Sequence, residues 1–299
     1  MTIAAIAGIL LVCGIGGALL AEMSLRPPRR TLASDANARA SGIASRTGAT
    51  VTSVPLVASD GVILRAWSFA PVGTARGTAI LVHGISDNRT SQLGLAALLL
   101  DHMYRVLAID VRAHGSSGGE LASYGLLERG DLRSWTDWVR RHHPDECVFA
   151  FGASMGAAIV LQTLPEEPYC AAIVEAPFTT FRETAVFRLG SGLHVPMWLR
   201  WPLLDPFVES GLLYARLRHG LALTSVDAVS AVARAHVPLL VIEDGADDRV
   251  PDSAARRLAS INPRRVTLWT IPDAHHTQGW AARPREYPAR ILAFLEAHQ

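Results

Sequence analysis

A doubly wound α/β domain with a mostly parallel sheet is the fold class this sequence predicts, and three observations carry that reading. Short, continuous apolar runs recur over residues 50–299, as expected of strands covered on both faces. Helix-patterned segments fall between them, the alternation that builds such a sheet. One run also ends in Gly152-Ala153-Ser154-Met155-Gly156 and passes straight into an Ala/Ile/Leu-rich helical segment. That is the context of a tight strand–turn–helix elbow.

Eight strands are expected. Val51–Ala58 and Val62–Phe69, separated by Ser59-Asp60-Gly61, predict an antiparallel hairpin. Ala79–Val82, Val106–Asp110, Val148–Phe151, Ala171–Glu175, Leu239–Ile242 and Val266–Ile271 predict buried parallel strands. Helical patterns occupy Thr90–His102, Gly130–Arg141, Met155–Leu164, Ser253–Ser260 and Tyr287–His298. The interval from Phe178 to Ala235 is too long for an ordinary connection. It is rich in Leu, Trp and Pro, with helix-like pieces at Leu212–Leu217 and Asp227–Ala233. It reads either as a small cap over a pocket, spanning about 178–235, or as a helical excursion covering the sheet or resting on a membrane.

With 28 Lys+Arg against 27 Asp+Glu, the chain has no net field to attract nucleic acid, and no nucleic-acid partner is expected. Of three cysteines, Cys147 and Cys170 sit on predicted buried strands and read as small core hydrophobes, so no disulfide framework is expected. Ile3 to Ala21 carries no charge, and its 19 residues reach about 28 Å as a helix, close to the hydrocarbon thickness of a bilayer. Met1-Thr2 lacks the basic start of a signal peptide and no clean cleavage site follows, whereas Arg26, Arg29 and Arg30 flank the run. An uncleaved anchor over residues 1–25 is therefore preferred, with the arginines keeping the following domain cytoplasmic. Residues 26–49 are a linker, whose stretch from Thr31 to Ala49 is either a tether or a helix lying over the domain; residues 50–299 form the domain.

The elbow offers chemistry. A serine hydroxyl becomes a useful nucleophile only when a base takes its proton and an acid orients the base. In an elbow of this kind the acid and histidine follow the serine on later loops. Here Glu243-Asp244-Gly245-Ala246-Asp247-Asp248-Arg249-Val250-Pro251 follows one late strand, and Pro272-Asp273-Ala274-His275-His276-Thr277 follows the next.

With those residues in view, the chain resembles the α/β-hydrolase family, specifically its serine-aminopeptidase-like and esterase-like small-cap members, over roughly residues 50–299. Further motifs carry the resemblance: Leu81-Val82-His83-Gly84-Ile85, Asp110-Val111-Arg112-Ala113-His114-Gly115-Ser116-Ser117, and Tyr124-Gly125-Leu126-Leu127-Glu128-Arg129-Gly130-Asp131. It implies an eight-stranded sheet with a small helical cap and Ser154 as nucleophile. The family's Asp-x-x-Val-Pro register selects Asp247 as the acid, while counting from the usual preceding glycine selects Asp248; the unbroken register is preferred. A small-x-His pattern selects His276 over His275 as the base. The resemblance places an oxyanion hole at the backbone N–H groups of Ile85 and Met155. His83, Arg112 and His114 then read as loop braces, Glu128 and Asp131 as helix caps, and the remaining acids of the Asp247 loop as solvated charges.

The expectation is a membrane-anchored serine hydrolase acting on a small-molecule acyl substrate, without metal or cofactor. Carboxylic esters are favoured because the cap is apolar, and lipid-like esters are suggested by the anchor. A peptidase, amidase or thioesterase would use the same residues. A non-catalytic binding protein on this fold is the alternative of another class, against which the complete Ser/Asp/His order argues.

Overall fold

The computed structural model describes residues 3–251 and 253–299. Met1 and Thr2, the first residues of the expected anchor, lie outside them. Eight strands, β1 (Thr50–Val57), β2 (Ile63–Ala70), β3 (Thr78–Val82), β4 (Arg105–Asp110), β5 (Val148–Ala153), β6 (Ala171–Glu175), β7 (Leu239–Asp244) and β8 (Val266–Ile271), form one sheet in the order β1-β2-β4-β3-β5-β6-β7-β8. β1–β2 and β2–β4 pair antiparallel and all other neighbours pair parallel.

The strands are apolar without alternation because both sheet faces are covered. On β3, Ile80 and Val82 point into one core while Ala79 and Leu81 point into the other. The first core is roofed by α4 (Glu128–His142), α5 (Met155–Thr163), α8 (Ala228–Ala233) and α9 (Ser253–Ile261). The second is covered by α2 (Ala36–Arg46), α3 (Leu93–Asp101) and α11 (Glu286–Glu296). α2 lies in the segment before the sheet and buries Ala36, Ala40 and Ala44 at helical spacing, so this part of the linker is a helix laid on the domain. A short helix, α10 (Gly279–Ala282), follows β8.

The long interval after β6 is helical. α6 (Phe181–Gly192) and α7 (Met197–His219) pack on one another, and α7 continues through Pro202 and Pro206. The sequence reading saw only the last part of α7, because each proline removes an intrahelical hydrogen bond and ordinarily ends a helix. α7 stops at Gly220, which takes φ +70°; there Leu221 N–H donates to Ala215 O (3.2 Å) and Gly220 N–H to Arg216 O (3.1 Å).

The N-terminal helix, α1 (Ile3–Leu25), is long and apolar enough to cross a membrane, but it is not detached from the domain. Cys13, Gly17, Ala21 and Leu25 are buried at four-residue spacing, one ridge of the helix. That ridge lies against α7: a Cβ on Gly17 would stand 2.6 Å from Gly211 N and Phe207 O. Glu22 accepts from Tyr214 Oη (2.9 Å) and bonds His219 Nε2 (2.6 Å). Contacts advance together along both helices, so α1 and α7 run in the same direction. Leu25 O also accepts from Ala122 N–H (2.8 Å) and Ser24 O from Tyr124 Oη (2.9 Å).

Two expectations need correction. Cys147 and Cys170 are disulfide-bonded, with Cα atoms 5.7 Å apart. They stand one residue before β5 and β6, and those strands are neighbours, so sheet order brings together two thiols that sequence separates by 23 positions. Glu243 and Asp244 are not solvated loop charges: β7 runs two residues further than expected and both are buried.

A crosslink over this separation removes chain entropy from the unfolded state equivalent to about 3 kcal/mol. Urea unfolding of oxidised wild type against the Cys147→Ser/Cys170→Ser double variant should therefore show a lower midpoint for the variant, by a stability difference of roughly 2–4 kcal/mol.

Candidate active site

The elbow is built by close approach. Ser154, between β5 and α5, has φ 55° and ψ −117°, a backbone region that non-glycine residues rarely occupy. A side chain at Gly152 would overlap the Gly156 carbonyl, and one at Gly156 would overlap the carbonyls of Val82 and His83. These two glycines let β5, α5 and the end of β3 meet around the serine. Ser154 N–H donates to Glu175 O (2.9 Å), fixing the turn to β6.

His276 is brought to Ser154 from the loop after β8: Nε2 stands 2.8 Å from Ser154 Oγ. Its Nδ1 stands 2.6 Å from Asp247 Oδ2. The other carboxylate oxygen of Asp247 accepts from Arg249 N–H (2.7 Å) and Val250 N–H (3.1 Å), so the acid is held at both oxygens. Asp248 is exposed and takes no part in this chain of contacts, and His275 turns away to Ala246 O (3.1 Å). In chemical terms the arrangement holds a hydroxyl, an imidazole and a carboxylate in line for proton transfer from Oγ to Nε2.

Ile85 and Met155 border the same cavity as Ser154 and His276. Met155 opens α5, so its N–H has no acceptor within the helix. Gly84 sits against the serine, a Cβ there standing 3.3 Å from Ser154 Cβ. The loop carrying Ile85 is pinned from behind. Asp110 at the end of β4 accepts from Arg89 N–H (2.8 Å), Arg89 Nη1 (2.6 Å) and Ser116 N–H (2.7 Å). The Arg89 guanidinium lies 4.5 Å from the Trp67 ring centre. His83 is wholly buried: its Nε2 accepts from Val111 N–H (3.1 Å) and its Nδ1 faces Gly84 O (2.7 Å), while burial pushes its pKa down to about 4. It is a neutral brace of the loop.

Asp131 does not cap α4. It forms a two-pronged ion pair with Arg112 (2.6 Å at both oxygens), and Arg112 also reaches Asp60 (2.8 Å). Glu128 closes the preceding turn by accepting from Ser123 N–H, Ser123 Oγ and Gly125 N–H (2.6, 2.6 and 2.9 Å).

Two buried carboxyl groups that sequence reasoning did not select support the histidine loop. Glu175 accepts from Gly279 N–H (2.9 Å) and Tyr287 Oη (2.6 Å), and burial pushes its carboxyl up. Asp244 accepts from Thr277 N–H (2.7 Å), the residue after His276, which has φ 57°. The available signal was an acidic residue directly ending each of two buried strands. Burial and, secondly, the Glu175 carboxylate push Asp244 up to about 8, so it is protonated at neutral pH.

That shift has a sign. The native state keeps on Asp244 a proton that the unfolded chain releases near its ordinary value of 3.8. Stability contributed below that value is lost as pH rises towards 8. Asp244→Asn is neutral throughout and should escape the loss. Thermal unfolding of both proteins between mildly acidic and alkaline pH should show the variant's advantage widening as pH rises.

The cavity over Ser154 has a volume of about 390 Å³, within the range of small-molecule sites. Comparison with known proteins agrees with this architecture. Residues 73–203 match the family described as serine aminopeptidase, S33. Uncharacterized protein YqkD of Bacillus subtilis is 27% identical over 251 residues, covering 82% of this chain and 79% of that protein. Lysophosphatidylserine lipase ABHD12 of Macaca fascicularis is 25% identical over 209 residues, 65% of this chain but only 48% of that protein. Among solved structures, the Pyrococcus furiosus esterase Pf2001 superposes with a TM-score of 0.73 at 23% identity, covering 92% of this chain and 98% of that one. A thermostable carboxyl esterase from Bacillus coagulans gives 0.65 at 15% identity, covering 83% and 99%. The sheet order, the elbow at Ser154 and these likenesses together show that the chain has the α/β-hydrolase fold.

Proposed function

We propose that the protein is a membrane-anchored serine hydrolase that cleaves carboxylic esters, lipid-like ones among them, through Ser154, His276 and Asp247. The observation that carries this reading is the single imidazole bridging Ser154 Oγ at 2.8 Å and Asp247 at 2.6 Å. His276 Nε2 takes the Oγ proton as Oγ bonds to the acyl carbon, and Asp247 holds the tautomer and stabilises the imidazolium. The carbonyl oxygen, now an oxyanion, accepts from the N–H groups of Ile85 and Met155. His276 then protonates the departing alkoxide, leaving an acyl-enzyme. Water, deprotonated by the same nitrogen, attacks the acyl carbon, and the carboxylic acid leaves as Ser154 regains its proton.

Esters are favoured over peptides because the cavity is lined mainly by apolar side chains from the cap and α1, with no carboxylate among its described lining residues to receive a peptide amine. The named lipase and esterase relatives act in the same sense. Hydrolysis of p-nitrophenyl butyrate tests the assignment. Asp247→Asn should lower kcat by up to about 10⁴-fold, as expected when the orienting acid is neutralised. Asp248→Asn and His275→Ala should leave kcat near wild type. Loss of activity in Asp248→Asn with retention in Asp247→Asn would move the acid by one residue.

The anchor reading rests on the length and apolarity of α1. Its orientation has two supports that point in opposite directions. Arg26, Arg29 and Arg30 after the span favour a cytoplasmic domain. The Cys147–Cys170 disulfide favours an oxidising compartment, hence a domain on the outer side. Moreover, Arg26 is engaged by Glu22 and Glu120, and Arg30 by Asp87, which gives these charges a role in the fold independent of topology. Alkaline phosphatase fused to the C-terminus separates the two: it stays inactive with the arginine-set orientation and becomes active with the disulfide-set one.

A further inference from the structure

The last turns of α1 do two things at once. On one ridge they pack on α7 through Gly17 and Gly211, where the backbones come too close for any side chain. On the adjoining face, Leu20, Ala21, Met23 and Ser24 form part of the wall of the cavity over Ser154. The adjoining part of the wall includes Phe207 and Leu212 of α7. A helix read as an anchor is thus a component of the cavity in which the reacting carbonyl would lie.

The surroundings of that wall are apolar and open. Ile9, Leu10, Ile15 and Leu19 on α1 are exposed, and Met23, at the cavity itself, is 73% exposed. Because the two helices run in the same direction, the exposed start of α7, with Met197, Trp198 and Trp201, lies alongside the first turns of α1. The stretch of α1 from Ile3 to Ile15, ahead of the two glycines that meet α7, is about 20 Å long, shorter than the roughly 30 Å hydrocarbon core. A bilayer that accommodates α1 therefore also receives the end of the α6–α7 hairpin, whose exposed Met197, Trp198 and Trp201 are apolar. The cavity then opens at the lipid boundary rather than into bulk water.

We propose that α1 is the lipid-facing wall of the acyl pocket, and that the substrate is an ester-bearing bilayer lipid whose chain lies along the wall that α1 and α7 form together while its carbonyl reaches Ser154. This rests on the ester-hydrolase reading above and adds the substrate class, its route and the element that selects chain length. A long acyl chain buries its methylenes against Leu20, Met23 and Phe207 without crossing water. A short ester reaches Ser154 without using that wall.

The test uses the full chain in dioleoylphosphatidylcholine nanodiscs and compares kcat/KM for p-nitrophenyl palmitate with that for p-nitrophenyl butyrate. Leu20→Trp, which fills the channel, should lower the palmitate-to-butyrate ratio at least tenfold, and Leu20→Ala should hold or raise it. Leu11→Trp, exposed and on the side of α1 turned away from Leu20, should leave the ratio unchanged. The inference is overturned if Leu20→Trp leaves the ratio unaltered, or if Leu11→Trp lowers it equally. Wild type inactive on both esters would instead remove the ester-hydrolase reading on which the inference rests. Labelling of Ser154 by a fluorophosphonate in each variant shows that the site has folded.

Discussion

Where β3, β5 and α5 converge, two side chains are missing so that three backbones can meet. Gly152 faces the carbonyl of Gly156, and Gly156 faces those of Val82 and His83. Ser154 is left at φ 55° with its hydroxyl at the strand end, a conformation that costs of the order of 1–3 kcal/mol and persists only because its surroundings enforce it. Everything else in the site is arranged relative to this point. The Ile85 loop emerges from the strand that Gly156 touches, and Glu175 holds Ser154 from β6 through its own carbonyl.

The two later loops meet the elbow because β7 and β8 are parallel neighbours on the same side of β6. Their ends are joined by Ala246 N–H to Ala274 O (2.9 Å), Gly245 N–H to Ile271 O (2.8 Å) and Thr277 N–H to Asp244. Asp247 and His276 are therefore held on loops that are tied to one another. A protonated Asp244 and the Glu175 carboxyl beneath them keep those loops in place, at the cost of burying acidic groups away from water.

Much of this was legible in the chain because it depends on local pattern. Strands covered on both faces leave unbroken apolar runs, and the elbow needs glycines at fixed offsets from Ser154. The choice of Asp247 and His276, on loops after successive strands, was implied by the family resemblance through its Asp-x-x-Val-Pro and small-x-His patterns. What was not legible depends on which strands end up adjacent. The Cys147–Cys170 pairing requires β5 beside β6, and the burial of Glu243 and Asp244 requires β8 to lie along the extended end of β7. Pro202 and Pro206 hid α7, since tertiary packing overrides their local preference. The docking of α1 was hidden for a further reason. Gly17 and Gly211 signal a close approach only as a pair, and they lie far apart in the chain.

The central claim is that His276 activates Ser154 as a nucleophile, and the most direct measurement is the rate at which a fluorophosphonate modifies that hydroxyl. Peptide mapping of folded wild type should locate the adduct on Ser154 alone, and His276→Ala should react at least about 10²-fold more slowly, the usual contribution of a positioned base. Absence of an adduct on Ser154 in folded wild type, or an equal rate in His276→Ala, would contradict it.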